Sequence, residues 1–245
     1  MINIITSLWG TRYSHDYIQR LYNAVSRNYK KEFKFYCQTD QPLNIDGVIN
    51  LPFTKFTPAS GGGRFPDPPK LNVWEPNCWG ISGRKIYLDL DVLILGDIGR
   101  LENLYDGIPV IGKSWWQEGT SINNDPMNHL AYRGITNGSV YVWEDCENTR
   151  EIWNHICKND EILLFVCDNG TDGYLSTLHL DKFKFVPRDM MYSYYNESVD
   201  DPYKFVLCTI ESRNILDMKT KTYFMDPSRP KMHLIESGLI KDNWI

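Results

Sequence analysis

A chain of 245 residues with 42% hydrophobic and 13% aromatic content can bury one large α/β core, and its length does not demand two domains. Its net charge of -5 excludes a general nucleic-acid binder, which needs a basic field. Six cysteines (Cys37, Cys78, Cys146, Cys157, Cys167 and Cys208) are scattered without a Cys-x-x-Cys pair, which fits reduced thiols better than a disulfide framework or a zinc site.

The chain opens on an apolar run with no basic leader and no long hydrophobic segment, so neither a signal peptide nor a transmembrane helix is expected. Residues 2–7 read as a buried first strand, and Gly10 permits a tight turn after it. Tyr17, Ile18, Leu21, Tyr22 and Val25 recur at helical spacing, which predicts a helix over 15–29. Residues 33–37 read as a second strand. Strand, helix and strand at this distance begin a parallel sheet. Such sheets take ligands at the carboxyl ends of their strands, which makes Thr6, Ser7 and Tyr13 candidates for holding a base and ribose. Tyr13 offers a flat ring for stacking on a base, or else it is a loop tyrosine that packs locally.

Residues 40–70 show the least order. Gly61, Gly62 and Gly63, followed by Pro66, Pro68 and Pro69, are loop chemistry, and a loop of this length suggests a flap over a site. No Walker spacing accompanies the glycines. Order resumes at 70–76 as a short helix. Three cations, Lys70, Arg84 and Lys85, bracket the approach to the next strand. Each is either functional or a solvated surface charge, the second reading being strongest for Lys85.

Residues 84–98 organise the rest. Ile86, Tyr87 and Leu88 form one β-prone run and residues 92–95 another, with Asp89 and Asp91 between them. Residues two apart on a strand share a face, so both carboxylates can reach one point. Like charges between apolar runs are costly unless a cation answers them. Mg²⁺ and Mn²⁺ are suitable, because they take oxygen ligands and commonly share them with substrate phosphates. The alternative is a pair of aspartates capping a turn. On the metal reading, Lys70, Arg84 and Lys85 become candidates for neutralising phosphate.

Further elements follow in order. A strand is expected at 108–111, then a polar loop after Trp115 and Trp116. Asn137 and Ser139 precede a strand-like run ending at Trp143, with an Asn-Gly hairpin turn as the alternative reading. Residues 149–157 read as a helix. Asp172 either serves a site or caps a helix starting at Tyr174. Strands are expected at 183–186 and 205–208, with an aromatic-rich segment at 190–195. The chain ends with His233, Gly238 and Lys241 in that order. No repeats or low-complexity tracts occur.

The segment Tyr87, Leu88, Asp89, Leu90, Asp91, Val92, continuing to Gly96, Asp97 and Ile98, resembles the Asp-x-Asp segment of GT-A-fold glycosyltransferases, especially the family-eight type. That resemblance implies a Rossmann-like α/β fold with a mixed, mostly parallel sheet flanked by helices, in a single domain over 1–245. It implies Mn²⁺ or Mg²⁺ on Asp89 and Asp91, with His233 as a further ligand, and a nucleotide-diphosphate sugar as donor. Thr6 and Tyr13 would contact the nucleotide, and Lys70, Arg84 and Lys241 the diphosphate. Asn137 and Ser139 would face the sugar, with Asp172 beneath the transferred group. The expected activity is hexosyl transfer with retained anomeric configuration to a saccharide, lipid or protein acceptor. Golgi members of this fold carry a membrane anchor, so the expected setting is a bacterial or virus-infected cytoplasm. The alternatives are a nucleotidyltransferase, disfavoured by the single glycine in the turn after the first strand, and a non-catalytic sugar-binding protein of the same fold.

Overall fold

The computed structural model of the chain describes residues 1–10, 13–58, 68–114, 135–159, 170–193, 200–201 and 204–209. Strand β1, Ile2–Leu8, is buried along its whole length, as a strand covered on both faces must be. Helix α1, Asp16–Asn28, returns the chain so that β2, Phe33–Thr39, pairs parallel to β1. Asp16 in its first turn and Arg27 in its last complement the helix dipole. Strand β3, Val48–Leu51, adds parallel to β2 inside the stretch expected to be least ordered. Its pattern, with only Leu51 buried, gives no periodic signal to read.

A 3₁₀ helix at Pro68–Trp74 leads toward β4, Lys85–Leu88, which pairs parallel to β1 on its other side. Strand β5, Val92–Ile94, and helix α2, Gly99–Glu102, follow. Strands β6, Val110–Lys113, and β7, Thr136–Trp143, are antiparallel to each other, and β7 is antiparallel to β4. Helices α3, Glu147–Lys158, and α4, Gly170–Leu178, precede β8, Lys184–Phe185, β9, Met191–Ser193, and β10, Leu207–Thr209. A seven-stranded sheet has the order β3-β2-β1-β4-β7-β6-β8, and β5-β10-β9 form a small second sheet. The result is a mixed, mostly parallel sheet, as expected. Among the described residues, no helix is long and apolar enough to cross a membrane.

Two-residue alternation divides the core between the faces of the large sheet. Ile4, Phe35, Ile86, Leu88, Val140 and Val142 pack with α1 and the small sheet. Ile5, Tyr36, Tyr87, Tyr141 and Trp143 pack with α3, α4 and the 3₁₀ helix. Trp74 anchors that helix, its ring 4.9 Å from Tyr141, 5.7 Å from Trp143 and 5.5 Å from Phe183. Asn72 fastens it further. Its side chain donates to Phe56 O at 2.7 Å and accepts from Phe56 N at 2.9 Å.

On the same face, Tyr174 Oη lies 2.7 Å from His155 Nδ1 and 2.9 Å from His179 Nε2, joining α3 to α4. Burial, then the neighbouring His155, pushes the His179 imidazole down to about 4 from an ordinary 6.5. The unfolded chain therefore binds the extra proton first as pH falls. Stability present above pH 6.5 is lost on the way down to 4, by about 2 kcal/mol between pH 7 and pH 5. Urea unfolding of His179→Leu at the two pH values is expected to show a drop smaller than that of the wild type by about this amount. An equal drop would contradict the assignment.

Candidate active site

The large sheet reverses its winding between β1 and β4, since β2 and β3 lie on one side of β1 while β4 and β7 continue on the other. In open α/β sheets the crevice at the carboxyl ends of two such strands is where ligands bind. Asp89, Leu90 and Asp91 stand there. They form the turn that takes the chain from β4 in the large sheet to β5 in the small one. This corrects the expectation that strand alternation places both carboxylates on one face. The chain turns between them instead and leaves them near enough for the charge of Asp89 to act on Asp91, with buried Leu90 pinned into the core and Asp89 N–H donating to Ser139 O at 3.0 Å.

Lys70 is carried to the turn by the 3₁₀ helix. Its Nζ lies 2.8 Å from Asp89 Oδ1 and 2.9 Å from Oδ2, and donates to Gly138 O at 3.2 Å. Tyr87 adds its hydroxyl, which donates to Asp89 Oδ1 at 3.0 Å. Burial works against the Lys70 charge, but the neighbouring carboxylates, Asp89 before Asp172, outweigh it and hold the ammonium well above its ordinary value.

Asp91 accepts from the Tyr13 hydroxyl at 3.0 Å. Tyr13 is thereby placed in the site as a donor to a carboxylate, with its ring edge-on to Tyr17 at 4.8 Å. Burial, then the charge of Asp89, pushes the Asp91 carboxyl up to about 7 against the opposing effects of Tyr13 and Lys70. A carboxylate crowded in this way is short of positive charge. An all-oxygen pair in that condition fits a hard divalent cation. Among the described residues, no cluster of three or more His, Cys, Asp or Glu side chains could hold a metal. His233 and Lys241 lie outside the described residues, as do the glycines at 61–63.

A bulge in β7 completes the arrangement. Ile111 stands opposite Tyr141 but Gly112 stands opposite Asn137, so β7 advances four residues while β6 advances one. The Asn-Gly pair thus lies in a bulged strand and not in a hairpin turn. Asn137 Oδ1 accepts from Ser139 N at 3.0 Å, which holds the bulge in shape. Gly138 is pressed against the cluster. A Cβ there would stand 2.4 Å from Asp172 Oδ1, 2.6 Å from the Tyr141 hydroxyl and 3.4 Å from Lys70 Nζ.

Asp172 lies within the first turn of α4 and is not the cap of a helix starting at Tyr174. Its backbone carbonyl accepts from Thr136 Oγ1 at 2.8 Å, and the Thr136 and Ser176 hydroxyls are 2.7 Å apart, so α4 is bolted to the start of β7. Lys70, Asp89, Asp91, Tyr13, Asn137 and Asp172 are therefore gathered around one end of the sheet. Thr6 is buried near the carboxyl end of β1, and strand alternation places it on the α1 face. Ser7 is on the Tyr87 face, where its hydroxyl donates to Gln38 Oε1 at 3.1 Å.

Two cations depart from expectation. Arg84 precedes β4, at the far end of the strand from Asp89. There it donates to Glu144 Oε1 at 2.9 Å and to Glu102 O, and stacks 4.5 Å over Tyr105. It belongs to the base of the sheet and is removed from the phosphate candidates. Lys85 is not a solvated cation. It is 2% exposed, with Asp145 Oδ1 at 2.8 Å as counter-charge. Tyr87, Tyr141 and Gly138 were not foreseen. Tyr87 was within reach of the same alternation rule, being two residues before Asp89, whereas Tyr141 and Gly138 arrive through strand pairing that no local pattern announces.

No protein-family model matches the sequence, and no curated protein matches it. Solved structures do match in fold. The galactosyltransferase LgtC in complex with donor and acceptor sugar analogues superposes with a TM-score of 0.61 at 12% identity, over 94% of this chain and 100% of that one. The glycosyltransferase GlyE of Streptococcus pneumoniae TIGR4 gives 0.58 at 11% identity, over 100% of this chain and 66% of that one. Mouse xyloside xylosyltransferase 1 gives 0.51 at 12% identity, over 85% and 97%. The chain thus has the GT-A glycosyltransferase fold that its Asp-x-Asp segment resembles.

Proposed function

We propose that the protein is a metal-dependent glycosyltransferase that moves a sugar from a nucleotide-diphosphate sugar to an acceptor, with retention of configuration. The observation that carries this reading is the pair Asp89 and Asp91 in the turn at the switch point of a GT-A-type sheet, with Lys70 and Asp172 converging on it. Mn²⁺ or Mg²⁺ would be held by these two carboxylates, with His233 a further ligand. When bound, the ion offsets charge developing on the departing diphosphate. Tyr13 orients Asp91, and Tyr87 with Lys70 orients Asp89. Asn137 presents an amide suited to sugar hydroxyls. Asp172 would lie beneath the transferred sugar, and Lys241 would meet the phosphate as a point charge.

A nucleotidyltransferase and a non-catalytic nucleotide-sugar-binding protein of the same fold are the rival readings. A thermal-shift series with nucleoside-diphosphate galactose, glucose and xylose, each with and without Mn²⁺, tests the proposal. One donor is expected to raise Tm in the presence of Mn²⁺ and to be slowly hydrolysed, because a ligand that binds the native state stabilises it. Binding without sugar release, even with candidate acceptors, would favour the non-catalytic reading. No Mn²⁺-dependent shift with any donor would remove the proposal.

A further inference from the structure

Asp89 has both carboxylate oxygens engaged by groups of this chain. Lys70 Nζ stands 2.8 Å from Oδ1 and 2.9 Å from Oδ2, and the Tyr87 hydroxyl reaches Oδ1 at 3.0 Å. The ammonium is not a passing surface charge. Its side chain is 11% exposed, donates to Gly138 O at 3.2 Å and lies 5.4 Å over the Tyr87 ring. Asp172 contributes to the field around it, and a Cβ on Gly138 would be 3.4 Å from Nζ. A buried ammonium paired with Asp89, with the charge of Asp172 acting on it as well, occupies the electrostatic position that a divalent ion on Asp89 would need. The two cations repel, and they compete for the same lone pairs.

We propose that Lys70 is a resident counter-ion that competes with the divalent metal for Asp89, so that the metal alone binds weakly and binds tightly only together with a nucleoside diphosphate. This rests on the reading of Asp89 and Asp91 as the metal pair. The diphosphate supplies the negative charge that lets Lys70 and the metal coexist, and Lys70 can turn from carboxylate to phosphate. Coupling of this kind is reciprocal, so the metal strengthens nucleotide binding by the factor with which the nucleotide strengthens metal binding. Lys70 is thus a positioning and gating residue for metal loading, a role distinct from a simple phosphate contact.

The test is Mn²⁺ affinity in the absence of nucleotide, measured by calorimetry and by the Mn²⁺ electron paramagnetic resonance signal at pH 8. Lys70→Met and Lys70→Gln are expected to bind Mn²⁺ about tenfold or more tightly than wild type, the size expected for removing a like charge at ion-pair distance in a partly buried site. The gain in Mn²⁺ affinity on adding uridine diphosphate is expected to shrink in both variants. Both variants leave Asp89 without its counter-charge. They are therefore expected to melt lower than wild type without metal and to show a larger Tm rise with Mn²⁺, a readout that survives partial unfolding. Unchanged or weaker Mn²⁺ binding, with no larger Tm rise, overturns the counter-ion role while leaving the metal pair intact. If wild type binds no Mn²⁺ with or without uridine diphosphate, the metal reading falls and this inference falls with it.

Discussion

Asp91→Asn is expected to weaken Mn²⁺-dependent binding of a nucleoside diphosphate by about 100-fold or more, beyond the 10–100-fold typical of residues that merely support a ligand. The reason is that only two carboxylates form the turn, and each supplies negative charge that an amide oxygen cannot replace. The fold should not suffer. Burial and the charge of Asp89 raise the Asp91 carboxyl to about 7, so its ionised form opposes folding as pH rises from 3.8 toward that value. Asparagine removes the charge and keeps an oxygen for the Tyr13 hydroxyl, which donates to Asp91 Oδ2. Metal-free Asp91→Asn is therefore expected to melt no lower than wild type above neutral pH. Calorimetry with uridine diphosphate and Mn²⁺ supplies the binding measurement. Undiminished metal-dependent binding by the folded variant would contradict the assignment.

Gly138→Ala is expected to lose more function than its single added methyl suggests. That carbon would stand 2.4 Å from Asp172 Oδ1 and 2.6 Å from the Tyr141 hydroxyl, both well inside contact distance. Tyr141 is fully buried, and Asp172 belongs to a helix bolted to Thr136 through its backbone. Tyr141 cannot withdraw without moving β7, and Asp172 must turn its carboxylate out of its present position. Overpacking of this kind costs about 1–3 kcal/mol, equivalent to a Tm lower by roughly 2–4 °C for each kcal/mol in a chain of this size. The larger effect falls on transfer. Asp172 is the site group displaced, and misplacement by about 1 Å can cost on the order of 100-fold in rate. Steady-state kinetics with the donor found by thermal shift measures this. A variant that melts lower but keeps wild-type turnover would separate Gly138 from the site.

The elements that were legible in the sequence are those whose periodicity reports burial on both sides of the sheet. Residues 2–7 and 33–37 were read within a few positions of β1 and β2, and α1 within one residue at either end, because α1 turns a regular stripe of Tyr17, Ile18, Leu21 and Val25 inward. Strand β3 escaped because Ile49 and Asn50 are exposed at the sheet edge, leaving no alternation. The Asp-x-Asp segment was legible as chemistry before its geometry was. Alternation along a strand was the expected means of aligning the two carboxylates, whereas the chain turns between the apolar runs to change sheets.

Charge was harder to read than hydrophobicity. Arg84 and Lys85 are neighbours in sequence and equally basic. One makes a cation–π contact with Tyr105 at the base of the sheet, and the other is buried against Asp145. Neither outcome is encoded locally, since Glu144 and Asp145 lie about sixty positions further along. Lys70 presents the same lesson in the opposite direction. The resemblance placed it near a diphosphate, and the structure places it first on Asp89. The bulge that delivers Gly138 and Ser139 to the site depends on the register between β6 and β7, which no single stretch of sequence contains.

The central claim is that the 89–91 turn holds a divalent ion against a nucleoside diphosphate. The most direct measurement is the anomalous scattering of Mn²⁺ in crystals of the full chain grown with Mn²⁺ and uridine diphosphate. The account predicts one ion in contact with carboxylate oxygens of both Asp89 and Asp91, with phosphate oxygens among its other ligands. An ion bound elsewhere, or a diphosphate bound away from these two aspartates, would contradict it.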